Sequence, residues 1–383
     1  MTFCNELDER ILKKRAHDRK NDVRGDYFRD TTAIIHSSPF RRLKHKTQVF
    51  FAPSNDHICT RIEHSLHVAS IASTICRGLG LDTELAWAIG MGHDLGHTPF
   101  GHTGEKIISR LMEGEGFPPF QHEVNSLRVV DFLSERGKGL NLTYAVRDGI
   151  VSHCGEKLTQ CLRPDFHEKQ LDRIQSRSGL VPATWEAVVV RFSDSIAYLG
   201  RDWEDACRMA LIAPGDLPPM VKQQLGATNA EIIDSLVGDI IANSNNEKGI
   251  CFSDEVYPAV LSLSEYNYSH IYKSPLLSGY ERYFTRLITL VVDYLERLVK
   301  ENGEIEEGYR EERNMLAIGF YRHMEEMKEA YIAHDGDTKR MIYDYVAGMS
   351  DNFCLDCADE ILKPTHLVEE TDEALLGRWF DVR

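Results

Sequence analysis

The sequence predicts an all-α protein, because helical periodicity dominates it and strand signals are weak. Apolar residues recur at three- and four-residue spacing in segment after segment of the 383 residues, which is the pattern of a helix with one buried face. One short run, residues 47–51 (TQVFF), has β-like composition, and we expect it to form one arm of a small hairpin. We find no internal repeat or low-complexity tract that would favour another architecture.

The composition is that of a folded protein with a sizeable core. With 42% hydrophobic and 27% charged residues, a disordered or fibrous chain is excluded. No apolar stretch approaches the roughly 18 residues of a membrane span, and the N-terminal residues lack the apolar region of a secretory signal. We therefore expect a cytoplasmic protein whose nine cysteines are reduced, including the lone Cys-x-x-Cys pair of Cys354 and Cys357.

The net charge of −16 argues against a protein that coats nucleic acid, but it leaves local basic patches open. Two such patches lie near the N-terminus, within residues 13–24 and 41–46. A basic patch beside an active site suggests an anionic substrate such as a polyphosphate, whereas a solvated helix face is the alternative. We favour the solvated face for the first patch.

Two helices are well marked in the first hundred residues. The stretch Arg61 to Leu79 is amphipathic, and Gly80 closes it. Asp82 is a natural N-cap for the next helix, from Thr83 to about Leu95, which is apolar nearly all round and should be buried.

Helical patterns continue to the C-terminal region. Residues Ala213 to Pro219 are rich in proline and glycine, so we place a lobe boundary there. Residues 1–212 would form the catalytic core with its basic N-terminal segment, and residues 213–383 a helical lobe packed on it; one continuous domain is the alternative. The further predicted helices are Glu123 to Glu135, Leu142 to His153, Pro182 to Ile212, Ala230 to Ala242, Tyr280 to Glu301, Glu311 to His334, Asp337 to Ala347 and Asp351 to Leu362.

Imidazoles and carboxylates recur on three of these helices. His64 lies in TRIEHSLHVASIA, the doublet His93-Asp94 in GMGHDLGH, and Asp194 in RFSDSIAYLGRDWEDA. A His-Asp doublet alone could simply be two residues that hydrogen-bond to each other or to the backbone. Two imidazole nitrogens and two carboxylates together suit a divalent ion such as Mn, Mg, Fe, Co or Ni better than zinc, which favours thiolate ligands. Helical bundles generally build such metal sites from side chains on helices that pack together.

In order and context these residues resemble the histidine, His-Asp doublet and distal aspartate of the HD superfamily. The motifs FRRLKHKTQVF, TRIEHSLHVASIA, GHDLGHTPFGHTGE, FQHEVNSLRVV, GLNLTYAVRDGI and DSIAYLGRDWEDA resemble, more specifically, its bacterial deoxyguanosine triphosphate triphosphohydrolases. The likeness runs from about Phe40 to Ala206 and continues more loosely in HIYKSPLLSGYERYFTRLITLVVDYL. It implies an HD-domain helical core with additional C-terminal helices, and the four residues above as metal ligands.

The resemblance also implies a catalytic pair, His102 and Glu105. Their three-residue spacing puts them on one face if a helix begins there. A carboxylate that orients a histidine and raises its basicity makes it a general base, while a metal lowers the pKa of bound water. The alternative is that PFGHTGE forms only a tight turn and a helix cap.

Further residues match family positions that contact the substrate. The resemblance implies that His97 and His122 approach the phosphates, that Arg61 and Gln48 contact the nucleotide, and that Lys46 adds charge near the phosphates.

Two more candidates follow Asp194 along its predicted helix. Tyr198 and Asp202 lie four and eight residues after it, on one stripe, and the resemblance implies that they face the sugar. An aromatic residue and an acid at the edge of a core are the alternative.

The leading functional hypothesis is hydrolysis of deoxynucleoside triphosphates to the deoxynucleoside and inorganic triphosphate. The sequence has no Walker A loop and no intact GxGxxG, so a phosphate-cradling loop is not indicated. Two alternatives stay open: another HD phosphohydrolase that acts on monophosphates or cyclic nucleotides, and a nucleotide-sensing protein without catalysis. The resemblance further implies a homo-oligomer, with a regulatory deoxynucleotide or single-stranded DNA as an open alternative for a partner.

Overall fold

Seventeen α-helices and one sheet of two short strands form the regular structure of the described residues in a computed structural model. The structure describes residues 3–20, 22–51, 55, 57–155, 158–334 and 336–363. The predicted all-α class is confirmed. The helices are α1 (Glu9–Leu12), α2 (Gly25–His36), α3 (Ser38–Arg42), α4 (Arg61–Leu79), α5 (Thr83–Gly92), α6 (Gly101–Gly114), α7 (His122–Arg128), α8 (Tyr144–Val151), α9 (Trp185–Arg208), α10 (Pro219–Gln224), α11 (Asn229–Asn243), α12 (Tyr257–Asn267), α13 (Pro275–Asn302), α14 (Glu306–Glu311), α15 (Met315–Ala333), α16 (Thr338–Ala347) and α17 (Asp351–Leu362), and the strands are β1 (Cys161–Leu162) and β2 (Ile250–Cys251).

Helix α4 has the predicted bounds because both of its ends are capped. Thr60 and Glu63 form a capping box, in which the Thr60 backbone N–H donates to the Glu63 carboxylate at 2.8 Å. Gly80 ends the helix in the left-handed conformation, at φ +72°. The Asp82 carboxylate caps the first turn of α5 as predicted, but α5 ends at Gly92, three residues before the predicted end.

The helices that carry the candidate site pack tightly on one another. Gly90 of α5 meets α4 so closely that a Cβ atom there would lie 2.7 Å from the Cα atom of Ala69. Helices α4, α5, α8 and α9 contribute to one hydrophobic core, to which residues as far along the chain as Leu263 belong. A second core joins α6 to α13 and to α15–α17, and it contains the buried thiols Cys354 and Cys357. The lobe boundary near residue 213 stays a prediction.

The predicted hairpin arm at residues 47–51 is wrong. Thr47 forms an isolated antiparallel bridge with Thr60, and no described residue of the run lies in a strand. The reason is that side chains from elsewhere in the fold bind the backbone groups of this run: Asp351 accepts the Thr47 N–H at 3.1 Å, and Arg61 donates to the Gln48 carbonyl at 3.4 Å.

The expectation of nine reduced cysteines is wrong for one pair. Cys161 of β1 and Cys251 of β2 face each other across the antiparallel pair, with Cα atoms 4.2 Å apart, and form a disulfide. They are 90 residues apart in sequence, so their proximity depends on the tertiary fold. In the part of the chain that the structure covers, no helix is both long and apolar enough to traverse a bilayer.

Candidate active site

The predicted metal ligands come from three packed helices. His64 lies in the first turn of α4, His93 caps the C-terminal end of α5 with Asp94 directly after it, and Asp194 lies in the middle of α9. The close packing of α4 on α5 and α9 brings these positions together.

The four side chains converge. His64 Nε2 lies 2.9 Å from Asp194 Oδ1, and His93 Nε2 lies 3.5 Å from Asp94 Oδ1 and 3.9 Å from Asp194 Oδ1. Nδ1 of His93 donates to the Gly90 carbonyl at 2.7 Å, which leaves Nε2 as the nitrogen that faces the carboxylates. This Nε2 is buried and has no hydrogen-bond partner among the described residues. A buried, unpaired imidazole nitrogen that faces two carboxylates fits a divalent cation site.

A third histidine, His153, joins this ligand cluster, and the sequence analysis missed it. Its Nδ1 donates to the Ile150 carbonyl at 2.6 Å, as that of His93 does to its own helix, and among the described residues its Nε2 likewise has no partner. Burial lowers the pKa of His153 to about 4, so the ring is neutral. Ligand atoms of His93, Asp94 and His153 lie within 4.8 Å of one another. The signal was a His-Cys doublet at the end of a buried helix, which parallels His93-Asp94.

Asp94 is held ionised. Arg61 donates to its Oδ2 at 2.7 Å, and His97 Nε2 lies 3.3 Å from its Oδ1. Burial alone would raise the pKa of Asp94, but His93, His97 and Arg61 outweigh it and hold the pKa well below its usual value. Burial also lowers the pKa of His97, which keeps that ring neutral beside Arg61.

The second group of the site is the histidine cluster, formed by His102, Glu105 and His122. Helix α6 begins at Gly101, so His102 and Glu105 share a face, with His102 Nδ1 3.3 Å from Glu105 Oε2. The chain enters this helix through left-handed conformations at Phe100 (φ +62°) and Gly101 (φ +58°). The His102 side chain is 64% exposed and that of Glu105 16%. Glu105 thus holds one ring nitrogen while the rest of the ring meets solvent.

The Glu105 carboxylate contacts a second histidine, His122, as well as His102. It accepts the His122 backbone N–H at 3.0 Å and lies 3.1 Å from His122 Nδ1. Burial would lower the pKa of His122, but Glu105 and Glu123 raise it to about 9. His122 is therefore a buried imidazolium, and its ring stacks on that of His97 at 3.9 Å between centroids. Glu123, which the sequence analysis missed, is balanced by an ion pair with Arg177.

The side chains of the predicted substrate contacts Lys46 and Gln48 differ in whether the protein itself binds them. The ammonium of Lys46 is buried and donates to the carbonyls of His97 and Ala347. It therefore does not face the histidine cluster as a free charge. The Gln48 carbonyl accepts from Arg61 at 3.4 Å, and Gln48 Oε1 is buried without a partner.

The predicted sugar-facing residues lie along α9. Tyr198 lines a cleft of about 100 Å³ together with His153, Cys154 and Asp194. Asp202 is buried and accepts a hydrogen bond of 2.5 Å from the hydroxyl of Tyr272, a partner that the sequence analysis missed.

A helical core in which a histidine, a His-Asp doublet and a distal aspartate converge defines an HD-domain protein, and the HD-domain family matches residues 61–199. The chain belongs to the HD superfamily and, within it, to the deoxyguanosinetriphosphate triphosphohydrolase-like proteins. Residues 250–360 match the phosphohydrolase-associated domain. HD domains bind divalent metals, which agrees with the donor set of the ligand cluster.

The relatives cover nearly the whole chain. A deoxyguanosinetriphosphate triphosphohydrolase-like protein of Caldanaerobacter subterraneus subsp. tengcongensis is 36% identical over 92% of this chain and 89% of its own length. A protein of the same name from Desulfatibacillum aliphaticivorans is 34% identical over 90% of each chain. Another, from Clostridium perfringens strain 13, is 33% identical over 93% of this chain and 92% of its own length.

Proposed function

We propose that the protein hydrolyses deoxynucleoside triphosphates to the deoxynucleoside and inorganic triphosphate. The observation that carries the proposal is the adjacency of two unlike groups: a cluster of lone pairs and carboxylates that suits a cation, and a histidine cluster with a buried imidazolium. A substrate whose phosphate must be polarised and attacked by water requires both. The names of the relatives support a deoxynucleotide as the substrate.

In this proposal His64, His93, Asp94 and Asp194 hold the divalent ion, which is Mn, Mg, Fe, Co or Ni. When bound, the ion supplies Lewis-acid chemistry to the phosphate under attack. The orientation of His93 supports this role, because the bond from its Nδ1 to the helix carbonyl fixes Nε2 toward the two aspartates.

The histidine cluster moves the proton. His102 accepts a proton from the attacking water, and Glu105 orients its ring and stabilises the charge that develops on it. The imidazolium of His122 and the neighbouring His97 stabilise negative charge on the phosphates. Water attacks the α-phosphorus, the bond from phosphorus to the 5′-oxygen breaks, and the 5′-oxygen leaves with a proton as the deoxynucleoside. Inorganic triphosphate is the other product.

The remaining residues bind the substrate. Arg61, which already neutralises Asp94, contacts the phosphate chain, and Gln48 contacts the nucleotide. Tyr198 lies against the 2′ side of the sugar, and Asp202 accepts the 3′-hydroxyl. We assign no phosphate contact to Lys46, because two main-chain carbonyls already hold its ammonium.

Product analysis in ¹⁸O-water tests the proposal. The expected result is label in inorganic triphosphate and none in the deoxynucleoside. Labelled orthophosphate as the first product would mean attack at the γ-phosphorus, and a nucleoside monophosphate would mean cleavage between the α- and β-phosphates. Either result rejects the mechanism. Turnover of cyclic nucleotides or monophosphates alone would favour another HD phosphohydrolase, and nucleotide binding without any product would favour a sensor.

A further inference from the structure

A second cavity, of about 350 Å³, lies between the catalytic helices and the C-terminal helices. Arg42 at the end of α3 and Asn125 of α7 line it on one side. His323 of α15, Tyr345 of α16 and Phe353 of α17 line it on the other. The volume suits a small organic molecule. None of these residues belongs to the ligand cluster or to the histidine cluster.

The guanidinium of Arg42 lines this cavity. Within the described residues it makes no ion pair, and its Nε is buried with no hydrogen-bond partner. Asp344 is the carboxylate among the lining residues, but it is committed to Arg128 at 2.6 Å and to Arg340 at 3.1 Å. Burial lowers the pKa of Arg42 to about 10, so it is charged at neutral pH. The buried Arg61 differs, because Asp94 neutralises it.

Two further polar atoms of the cavity lack a hydrogen-bond partner in the part of the chain that the structure describes. They are His323 Nε2 and Asn125 Oδ1, both buried, although the Asn125 amide N–H donates to the Gly96 carbonyl at 2.8 Å. Buried polar groups are rarely left unpaired unless a ligand or water completes them. Because burial lowers the pKa of His323 to about 4, its ring is neutral at pH 7. The cavity therefore combines one cation and further hydrogen-bonding groups with the apolar walls Leu95 and Phe353.

We propose that this cavity binds a small organic molecule with one oxyanion group, a carboxylate or a single phosphate, which pairs with Arg42. A guanidinium presents a planar set of donors that matches either group. One unpaired cation can neutralise a single such group but not a triphosphate chain. The ligand therefore differs in charge from the substrate of the proposed reaction, and the apolar walls contact its uncharged part.

The cavity is connected to the active site through backbone contacts. The Ala347 carbonyl, on the cavity wall, accepts from Lys46 at 3.0 Å, and the same ammonium donates to the His97 carbonyl. The Asn125 side chain donates a hydrogen bond to the carbonyl of Gly96, which lies between Asp94 and His97 in the sequence. A ligand that orders the cavity therefore acts on the segment that carries two site residues, and binding should change turnover.

Titration calorimetry on the full, metal-free chain tests the binding. The probes are benzoate, phenyl phosphate and the neutral benzamide. Benzoate or phenyl phosphate should bind, and benzamide should bind far more weakly. Arg42→Gln should lose roughly tenfold or more in affinity, as expected for a charge-assisted hydrogen bond. The matched control is Arg41→Gln, which changes the adjacent, exposed arginine, and His122→Gln, which removes the buried imidazolium, controls for anion binding in the active site. Both should bind as the unaltered chain does.

Equal affinity in Arg42→Gln and the unaltered chain, or no binding of either anion, overturns the proposal. A loss in His122→Gln with none in Arg42→Gln moves the anion to the active site and overturns it as well. If Arg42→Gln does not fold, His323→Ala replaces it, with weaker anion binding expected and unchanged binding contradicting the proposal. Because no metal or turnover is involved, the result is independent of the proposed hydrolysis.

Discussion

The ligand cluster and the histidine cluster lie side by side but are built in opposite ways. His64, His93 and Asp94 are almost completely buried, and their orientation is fixed by contacts with one another and with the backbone. His102, in contrast, is mostly exposed; its ring lies 3.3 Å from Glu105 Oε2 and makes edge contacts with the rings of His97 and His122. Residues that hold an ion need rigid geometry, whereas a group that exchanges protons with water needs access to it.

The charges of the two clusters differ as well. In the ligand cluster, imidazole nitrogens face two aspartates whose pKa values are held low, so that region attracts a cation. The histidine cluster contains the imidazolium of His122, whose pKa of about 9 keeps it charged at neutral pH. A phosphate group between the two would be polarised from both sides. Changes in the first cluster should therefore abolish ion binding, and changes in the second should slow the reaction while the ion stays bound.

The largest effect should come from Asp194→Asn, which we expect to lose both the metal and the activity. Its carboxylate contacts His64, and although burial alone would raise the pKa of Asp194, His64 and His93 hold it at about 2, so an anion is lost from the site. The measurement is metal content after dialysis, together with turnover. Asp205→Asn is the matched control, since Asp205 lies on the same helix and accepts from Cys59. Full metal occupancy and full turnover in the Asp194 variant would refute the ligand assignment.

His102→Ala should leave the metal bound and slow hydrolysis by about 100- to 10,000-fold, the range for loss of a general base. Metal content and kcat are measured on the same preparation. His36→Ala, at an exposed histidine in the last turn of α2, controls for loss of an imidazole. A decrease of less than about tenfold would transfer the role of base to His97 or His122.

The sugar contact should give a smaller effect. Tyr198 lines the cleft beside Asp194, and we expect it to exclude a 2′-hydroxyl, so that deoxyribonucleotides are preferred over ribonucleotides with the same base. Tyr198→Ala should reduce this preference, and Tyr198→Phe, which keeps the ring, should retain it. The ratio of kcat/KM for a deoxyribo- and ribonucleotide pair measures it. Equal values in the unaltered chain would rule out this contact.

Parts of the fold that are determined by neighbouring residues could be predicted to the residue. Parts that depend on pairing between distant segments could not. The capping box at Thr60 and the glycine at position 80 fix α4 from neighbouring residues alone. The pair β1–β2 has two residues in each strand and depends on chain segments about 90 residues apart, so no local alternation reveals it. The run 47–51 has β-like composition, but the side chains of Asp351 and Arg61 bind its backbone groups in place of a second strand.

The candidate site shows the same limit. The spacing of His93, Asp94 and Asp194 is recognisable in sequence, and the structure brings these residues together. The burial of Lys46 between two carbonyls, and the absence of a carboxylate partner for Arg42 among the described residues, depend on what α16 and α17 place opposite them. The residues of α16 and α17 lie more than two hundred positions further along the chain, so the motifs around Arg42 and Lys46 do not reveal these contacts.

The smallest predicted effect is a pH dependence of KM that belongs to Asp202. Burial raises the pKa of Asp202 to about 7, and the hydrogen bond from Tyr272 limits the increase; His64 and Arg61 also lower it, while Asp205 raises it. The raised value means that the folded protein favours the protonated acid below pH 7. Since we propose the carboxylate as acceptor of the 3′-hydroxyl, KM should rise as the pH falls from 8 to 6, by roughly tenfold for a single group that titrates near 7.

A dideoxynucleotide and one variant isolate this effect from other titrations. A substrate without the 3′-hydroxyl has nothing to donate to Asp202, so its KM should not share the inflection, whereas ionisation of the phosphates or of the histidine cluster would affect both substrates equally. Tyr272→Phe removes the donor that stabilises the carboxylate, and the inflection should move to higher pH. An inflection of the same size for the dideoxynucleotide, or one that Tyr272→Phe leaves in place, would show that Asp202 is a buried structural acid. The sugar would then be recognised elsewhere along α9.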